Sequence, residues 1–430
     1  MMRHRFIITL LFISQIVISN AQSLKDQALE EFKKENYPKA IELMEAASKG
    51  SPEDAEIYYY LGFFTHYNAN DSRPLKGYDT TYSQKVLHWL DKALEINPDY
   101  GDAKYFYFSE CGAAALKDYQ NGQFEKVRSH YEKAYARGVI PDWADELGKN
   151  MLTNCDTNAI LFTHGDFPLN LCLFVQLHEN FRKDISVIPL AFLDRPSFVN
   201  IINKNISLKT LRGVKTGLTE EQILDMHPSK WDTLVVNLPV PPALLIKYSL
   251  PFNYTFNWRI DPDYFSNRMV SKIEGEKAHP RTYLSTTRAM LLNIIETNNW
   301  QRPVYFTNTF DSFFLAGLDQ NLQNCGLVSR LLPMKTESTS WQTDPEALKK
   351  LIITGNLEKF RTLINSDQPR VSGIASLYYN TYYLLAAYYY TSGKKEKIPL
   401  LIDSYKKYLM IGYNPQREEQ YLMALEQMKN

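Results

Sequence analysis

Residues able to carry chemistry gather at three points of this chain. His164-Gly165-Asp166 follows the apolar run Ala159–Phe162, Asp194-Arg195 follows Ile185–Pro189, and Thr307-Asn308 closes the run Pro303–Thr307. If those runs are strands of an open α/β sheet, all three points lie beyond carboxyl ends, where such sheets hold ligands. His164 would there shuttle a proton near neutral pH, oriented by a carboxylate. Asp166 and Asp194 are the carboxylate pair that can be argued into one crevice, and glycan cleavage needs two such groups at a separation set by mechanism. Arg302, beside Trp300 and Tyr305, would bind an anion or stack on a sugar face. The candidate ligand-binding set is therefore His164, Asp166, Asp194, Arg195, Arg302 and Asn308, with no catalytic residue, metal or cofactor assigned.

A structural reading covers the same residues and is preferred for the turn. Asp166 would cap a helix beginning near Pro168, with Pro inside the first turn. Gly165 would supply a backbone angle that other residues resist, and Asp194 would cap a helix beginning at Pro196. For Arg302 the matching expectation is a clamp that fastens the helix end at Asn298 to the sheet, weighed evenly against anion or sugar binding. Other templates fail: the chain has no G-x-S-x-G, no Walker loop and no G-x-G-x-x-G. No two His stand three or four residues apart, so a zinc helix is not expected. Ser404-x-x-Lys407 matches S-x-x-K by chance on a charged helix face.

Bulk properties set the frame for these points. At 430 residues the expectation is two or three domains. Lys+Arg and Asp+Glu are equal at 48 each, which removes the electrostatic case for nucleic acid. The basic start Met1–Arg5, the apolar run Phe6–Ile18 and the small residues Ser19-Asn20-Ala21 read as an export signal cleaved before Gln22. That predicts a periplasmic or extracellular protein with no membrane span in the mature chain. Cys111, Cys155, Cys172 and Cys325 form no C-x-x-C pair and are expected to be free and buried. The three N-x-S/T sequons, at Asn70, Asn205 and Asn253, matter only in a eukaryotic secretory pathway.

Residues 22–150 carry a repeating order: small residue, aromatic, loop aromatic, Ala, large apolar, Ala, Pro. Ala28, Phe32, Tyr37, Ala40, Met44, Ala47 and Pro52 show it first. Leu61-Gly62, Leu90, Ala93 and Pro98 show it again, with Asn68–Tyr82 as an insertion, and Ala115, Tyr119, Gly122, Val127, Tyr131 and Ala134 a third time. The order resembles the tetratricopeptide repeat, a 34-residue helical hairpin. Small Ala lets helices approach, the large residue fills the neighbour's groove, and Pro ends the second helix. Such hairpins stack into a groove suited to a protein or peptide partner. Residues 151–335 alternate short strands with helices, which predicts an α/β domain. Residues Tyr254–Ile260 alternate as an edge strand or the arm of an excursion, Leu238–Pro251 reads as a Pro-rich loop, and Phe313–Asn324 as a helix. Residues 340–430 are expected to be helical, with a looser repeat-like hairpin at Ala387, Tyr390, Gly393 and Leu401. The fold class expected is thus multidomain, with tetratricopeptide-like α-helical hairpins flanking a central α/β domain.

The middle region also resembles a larger family. Gly165-Asp166-Phe167-Pro168-Leu169 and Asn298-x-Trp300-x-Arg302-Pro303-Val304-Tyr305-Phe306 are similar to motifs in the soluble C-terminal domain of bacterial multi-span membrane proteins. The membrane half of those proteins is similar to protein O-mannosyltransferases. In the family the first motif usually reads Gly-Asp-Asn-Asp-Thr-Phe-Pro-Leu, three residues longer than here, where His164 precedes the shortened turn. The membrane half, to which transferase chemistry belongs, has no counterpart here. The resemblance implies an envelope location and a link to surface glycans or their machinery. Two functions follow as expectations: a non-enzymatic binding or scaffold module, which is preferred, and a glycan-active enzyme built on the α/β domain.

Overall fold

The computed structural model describes residues 22–71, 80–204, 211–225, 229–230, 234–260, 283–284, 286–308, 315, 317–337, 339–365 and 368–429. The export signal at 1–21, the Asn205 sequon and residues 72–79 of the expected insertion lie outside them. Contacts divide the chain into two compact units. One is made of residues 1–117, 129–141 and 365–367, the other of 118–128, 142–364 and 368–430.

Helical hairpins come first in the chain: 22–33 with Tyr37–Gly50, Ala55–Asp71 with Thr80–Ile96, and Gly101–Gln120 with Phe124–Ala136. Apolar residues at helical spacing explain them. Ala28, Ala40, Met44 and Ala47 are buried against Ile57, Leu61 and Phe64. Phe32 stacks on Phe64 with ring centres 4.6 Å apart. At Gly62 a Cβ would fall 3.1 Å from Leu90, so the glycine permits the close approach of the second hairpin's two helices. Lys25 reaches Glu56 at 2.7 Å and Asp54 at 3.4 Å, tying the first hairpin to the start of the second.

In the second unit five strands form a mixed sheet: β1 (Ile160–Thr163), β2 (Ser186–Pro189), β7 (Val304–Thr307), β8 (Leu322–Asn324) and β9 (Val328–Leu331). Their order is β2-β1-β7-β9-β8. β1 lies parallel to both β2 and β7, with Leu161 opposite Val187 and Tyr305, while β9 runs antiparallel to β7 and β8. Every residue of β1, β2 and β7 is buried, as expected of parallel strands covered on both faces. The helix Asp166–Leu177 joins β1 to β2, and it is buried without a break from Leu169 to Leu177. It packs on the helix Asp142–Asn154 at a contact so close that a Cβ on Gly148 would lie 2.9 Å from the Leu171 carbonyl oxygen.

Two small ribbons stand apart from this sheet: β3 (Ser229–Lys230) with β6 (Tyr283–Leu284), and β4 (Leu234–Pro239) with β5 (Thr255–Ile260), both antiparallel. The alternating stretch Tyr254–Ile260 is therefore the arm of an excursion. Two expectations are corrected. Within the Pro-rich loop, Pro242–Lys247 forms a helix, because Pro at its first positions needs no amide partner. Leu322–Asn324 is a strand, not a helix end, because β9 supplies its hydrogen-bond partners.

The chain ends in the helices Pro345–Thr354, Gln368–Thr391, Ile398–Tyr408 and Pro415–Lys429. Tyr378, Tyr379, Tyr382, Tyr405 and Tyr413 are buried among them. Their hydroxyls have internal partners: Tyr378 accepts from Asn150 Nδ2 at 3.1 Å, Tyr405 donates to the Glu418 carbonyl at 3.0 Å, and Tyr382 pairs with Ser404 at 2.8 Å. The tyrosine clusters here are core, and Ser404 is a partner of that core. Two glycines make opposite predictions. Gly148→Val should destabilise the protein by ~2–3 kcal/mol through overpacking against Leu171. Gly373→Ala, in a helix with open space around it, should be neutral or stabilise by up to ~1 kcal/mol. Urea unfolding of the two variants checks the contrast.

Candidate functional site

β1 pairs on one side with the strand that follows it through a helix, and on the other with the much later β7. The chain thus changes direction at β1, and the crevice at the carboxyl ends of β1 and β7 is where such a sheet accepts a ligand. Thr163 and Thr307 end these strands, both buried. The His164 amide donates to Thr307 Oγ1 at 3.3 Å, which draws the two strand ends together. His164 is half-buried at the crevice.

Gly165 follows with φ +83°, in the left-handed region that disfavours a side chain. It is the residue before the helix, and Asp166 is already the first helical residue. The expected Asp166 cap is therefore not formed: the turn ends one residue earlier, because only glycine adopts that angle freely. Asp166 is exposed and still favours the positive end of the helix from within its first turn.

At the carboxyl end of β2 a short 3-10 turn, Leu190–Phe192, leads to Asp194 and Arg195, and the helix Pro196–Lys204 starts immediately after. Arg195 lies over the Phe192 ring, 4.9 Å from its centre, and its Nε is 3.7 Å from the Asp194 carboxylate. Surrounding protein pushes both the Asp166 and the Asp194 carboxyl above the usual range, and Arg195 opposes the push at each. One cation therefore sits within electrostatic reach of both acids. Both carboxylates remain exposed at the rim, so water screens these effects heavily.

The other two candidates are engaged by the fold. Asn308 donates from Nδ2 to the Gly326 carbonyl and accepts from Ser329 Oγ at 2.6 Å, fastening β7 to the β8–β9 turn. Arg302 sits at the opposite, amino end of the sheet. Its guanidinium donates to the carbonyls of Asn158 at 2.8 Å, Ala159 at 2.8 Å and Gly213 at 3.2 Å, and to Ser186 Oγ at 2.7 Å. Burial lowers its pKa to about 10, with Arg212 adding to the effect. Asn298 and Arg302 also bond reciprocally through side chain and backbone, at 2.9 and 3.2 Å. The structure thus groups His164, Asp166, Asp194 and Arg195 at one end, and places Arg302 at the other.

A second polar centre was not read from the sequence. Arg330 on β9 has a side chain only 12% exposed and binds Asp344 at 2.5 Å and Asp156 at 3.0 Å. It also donates to Gln323 Oε1 at 2.6 Å. With Tyr305, Cys155, Cys325 and Lys350 it lines a cavity of about 210 Å³. The signal available was an Arg inside the apolar run Leu327–Leu332. Among the described residues no cluster of three or more His, Cys, Asp or Glu is arranged to hold a metal ion.

A family model described as TMEM260-associated domain 2 matches residues 144–223 and 260–349. The matched segments contain all five strands of the sheet and the four grouped residues. No curated protein matches the chain.

The two ends of the sheet predict different mutational costs. Arg302→Met should destabilise by ~3–5 kcal/mol, because buried carbonyls lose their donor. Asp166→Asn and Asp194→Asn should stay within ~0.5 kcal/mol of wild type. Chemical denaturation reads both. A pH effect belongs to Asp184, whose carboxyl is held below its usual range by hydrogen bonds from Arg182 and, secondarily, the Asn158 amide. A depressed carboxyl adds stability above the unfolded value near ~3.9 and loses it as pH falls through the folded value. Asp184→Asn should therefore cost ~1 kcal/mol at neutral pH, and its deficit should shrink in acid.

Proposed function

We propose that this protein is an exported binding module associated with glycosylation machinery, without a bond-making step of its own. The family match supports the link to that machinery, since the matched segments build the whole sheet. The observation that carries the non-enzymatic reading is the condition of the two acids an enzyme would need. Asp166 and Asp194 stand exposed at a rim and share Arg195, whereas glycan cleavage calls for carboxyls converging on an enclosed bond. His164, Asp166, Asp194 and Arg195 serve on this reading as a polar rim that holds a ligand.

The helical hairpins at the start of the chain take the protein or peptide partner, in the manner of tetratricopeptide repeats. Small residues packed under larger ones in their shared core support that reading. Exposed aromatic side chains on the hairpins, Tyr67 at 41% and Tyr135 at 58%, supply contact area. A second reading, a glycan-active enzyme, draws on one feature: both carboxyls are pushed upward, as a general acid requires.

The test is affinity capture with the intact chain from envelope extract. Capture should enrich a component of the glycosylation machinery. Tyr135→Ala with Tyr67→Ala should lower its recovery about tenfold if these are anchor residues, and Asp166→Asn should leave it unchanged. Recovery of no such component, or recovery indifferent to the tyrosines, counts against the proposal. A glycan-processing activity lost in Asp166→Asn or Asp194→Asn would replace it with the second reading.

A further inference from the structure

The family match leaves out residues 224–259, which hold the β4–β5 ribbon and the helix between its strands. From Thr233 to Ile260 the sequence contains no Asp or Glu and two cations, Lys247 and Arg259. The inner side of this excursion is fixed. Tyr248 packs with Leu332 and Met334, its ring edge-on to Trp341 at 4.9 Å. The outer side presents two large apolar side chains, Ile246 and Phe252, among the exposed polar residues Lys247, Ser249, Asn253 and Thr255. Past the helix Pro242–Lys247 the Leu250 amide donates back to the Leu245 carbonyl at 2.8 Å, and the Tyr254 amide to that of Pro251 at 2.9 Å. These bonds close two tight turns, and Phe252 stands at the crest of the second. Phe252 is 86% exposed and Ile246 is 70% exposed. A phenylalanine held in water on a braced turn costs hydration free energy with no return inside the fold.

We propose that this crest is a membrane-docking tip: Phe252 and Ile246 enter the interfacial layer of an anionic lipid surface, and the exposed Lys247, whose ammonium lies 5.3 Å from the centre of the Tyr248 ring, supplies positive charge beside them. Three features favour lipid over a protein partner. The tip is a convex turn, and an interfacial layer accepts apolar side chains without a matching pocket. From Thr233 to Ile260, between Asp232 and Asp261, the sequence carries Lys247 and Arg259 and no carboxylate, which complements anionic headgroups at the tip. Its base is packed, so the side chains are presented without an ordering penalty. Among the described residues no helix is long and apolar enough to cross a membrane. This inference is independent of the partner assigned to the hairpins.

Co-sedimentation of the intact protein with vesicles tests it, using phosphatidylcholine alone and phosphatidylcholine with phosphatidylglycerol. Wild type should sediment with the anionic vesicles and much less with the neutral ones. Phe252→Ser with Ile246→Ser should reduce the bound fraction about tenfold, and Lys247→Gln or added salt a few-fold. Both replaced side chains are exposed, so an unchanged circular dichroism spectrum and melting temperature are expected. Equal sedimentation of wild type and the double variant, or no sedimentation with either vesicle, overturns the proposal. A dimer in sedimentation velocity that the double variant disperses would assign the crest to a second copy instead, and also overturns it.

Discussion

A single guanidinium ties the amino end of the sheet. Arg302 enters from the segment that becomes β7 and donates to the backbone just before β1, to Ser186 at the start of β2, and to the Gly213 carbonyl. Ser186 Oγ itself donates to Gly213 at 2.7 Å, so the strand and the loop are bound to each other as well as to the cation. The planar fork of Arg suits this task, because its five N–H donors reach several acceptors in fixed directions. Its burial lowers its pKa, yet the surrounding carbonyl dipoles satisfy it. That clamp fastens the amino ends of three parallel strands to one another.

The carboxyl ends inherit their alignment from it. β1 and β7 finish on buried threonines joined through the His164 amide, and β2 finishes at Pro189 on the far side of β1. What emerges is a rim of His164, Asp166, Asp194 and Arg195 on short turns, over strands that are buried completely. A rim of this kind suits a ligand held from one side. Arg330 plays the corresponding structural part on β9, joining Asp156 before β1 to Asp344 at the start of the helix Pro345–Thr354. Both arginines reach the segment just before β1, and each spends its guanidinium on acceptors of the fold itself.

Much of the architecture was legible in local pattern. The runs Ala159–Phe162, Ile185–Pro189 and Pro303–Thr307 are β1, β2 and β7 to within a residue. Continuous apolar burial betrays a parallel strand, and the helix Asp166–Leu177 shows the same quality in its nine buried residues. Where pattern misled, a competing constraint was non-local. Leu322–Asn324 reads as the end of a helix until β9 offers it a hydrogen-bonded edge. Gly165 displaced Asp166 from the capping position, because the angle at the turn was decided by how β1 meets its helix.

The candidate site divides along the same line. Local residue pattern was enough to place His164, Asp166, Asp194 and Arg195 after strands, and so at one end of a sheet, because strand direction alone sets which end a following turn occupies. It was also enough to mark the paired small and large residues of the hairpins. It could not decide between anion site and clamp for Arg302, and it read Asn308 as part of a polar pocket where the fold uses it as a fastener. Each has a polar group whose role depends on which carbonyls lie within hydrogen-bond reach, and those carbonyls come from segments between 18 and 144 residues away. Only folding brings such partners together, so the chemistry of a buried polar side chain is a property of its neighbours more than of its place in the chain.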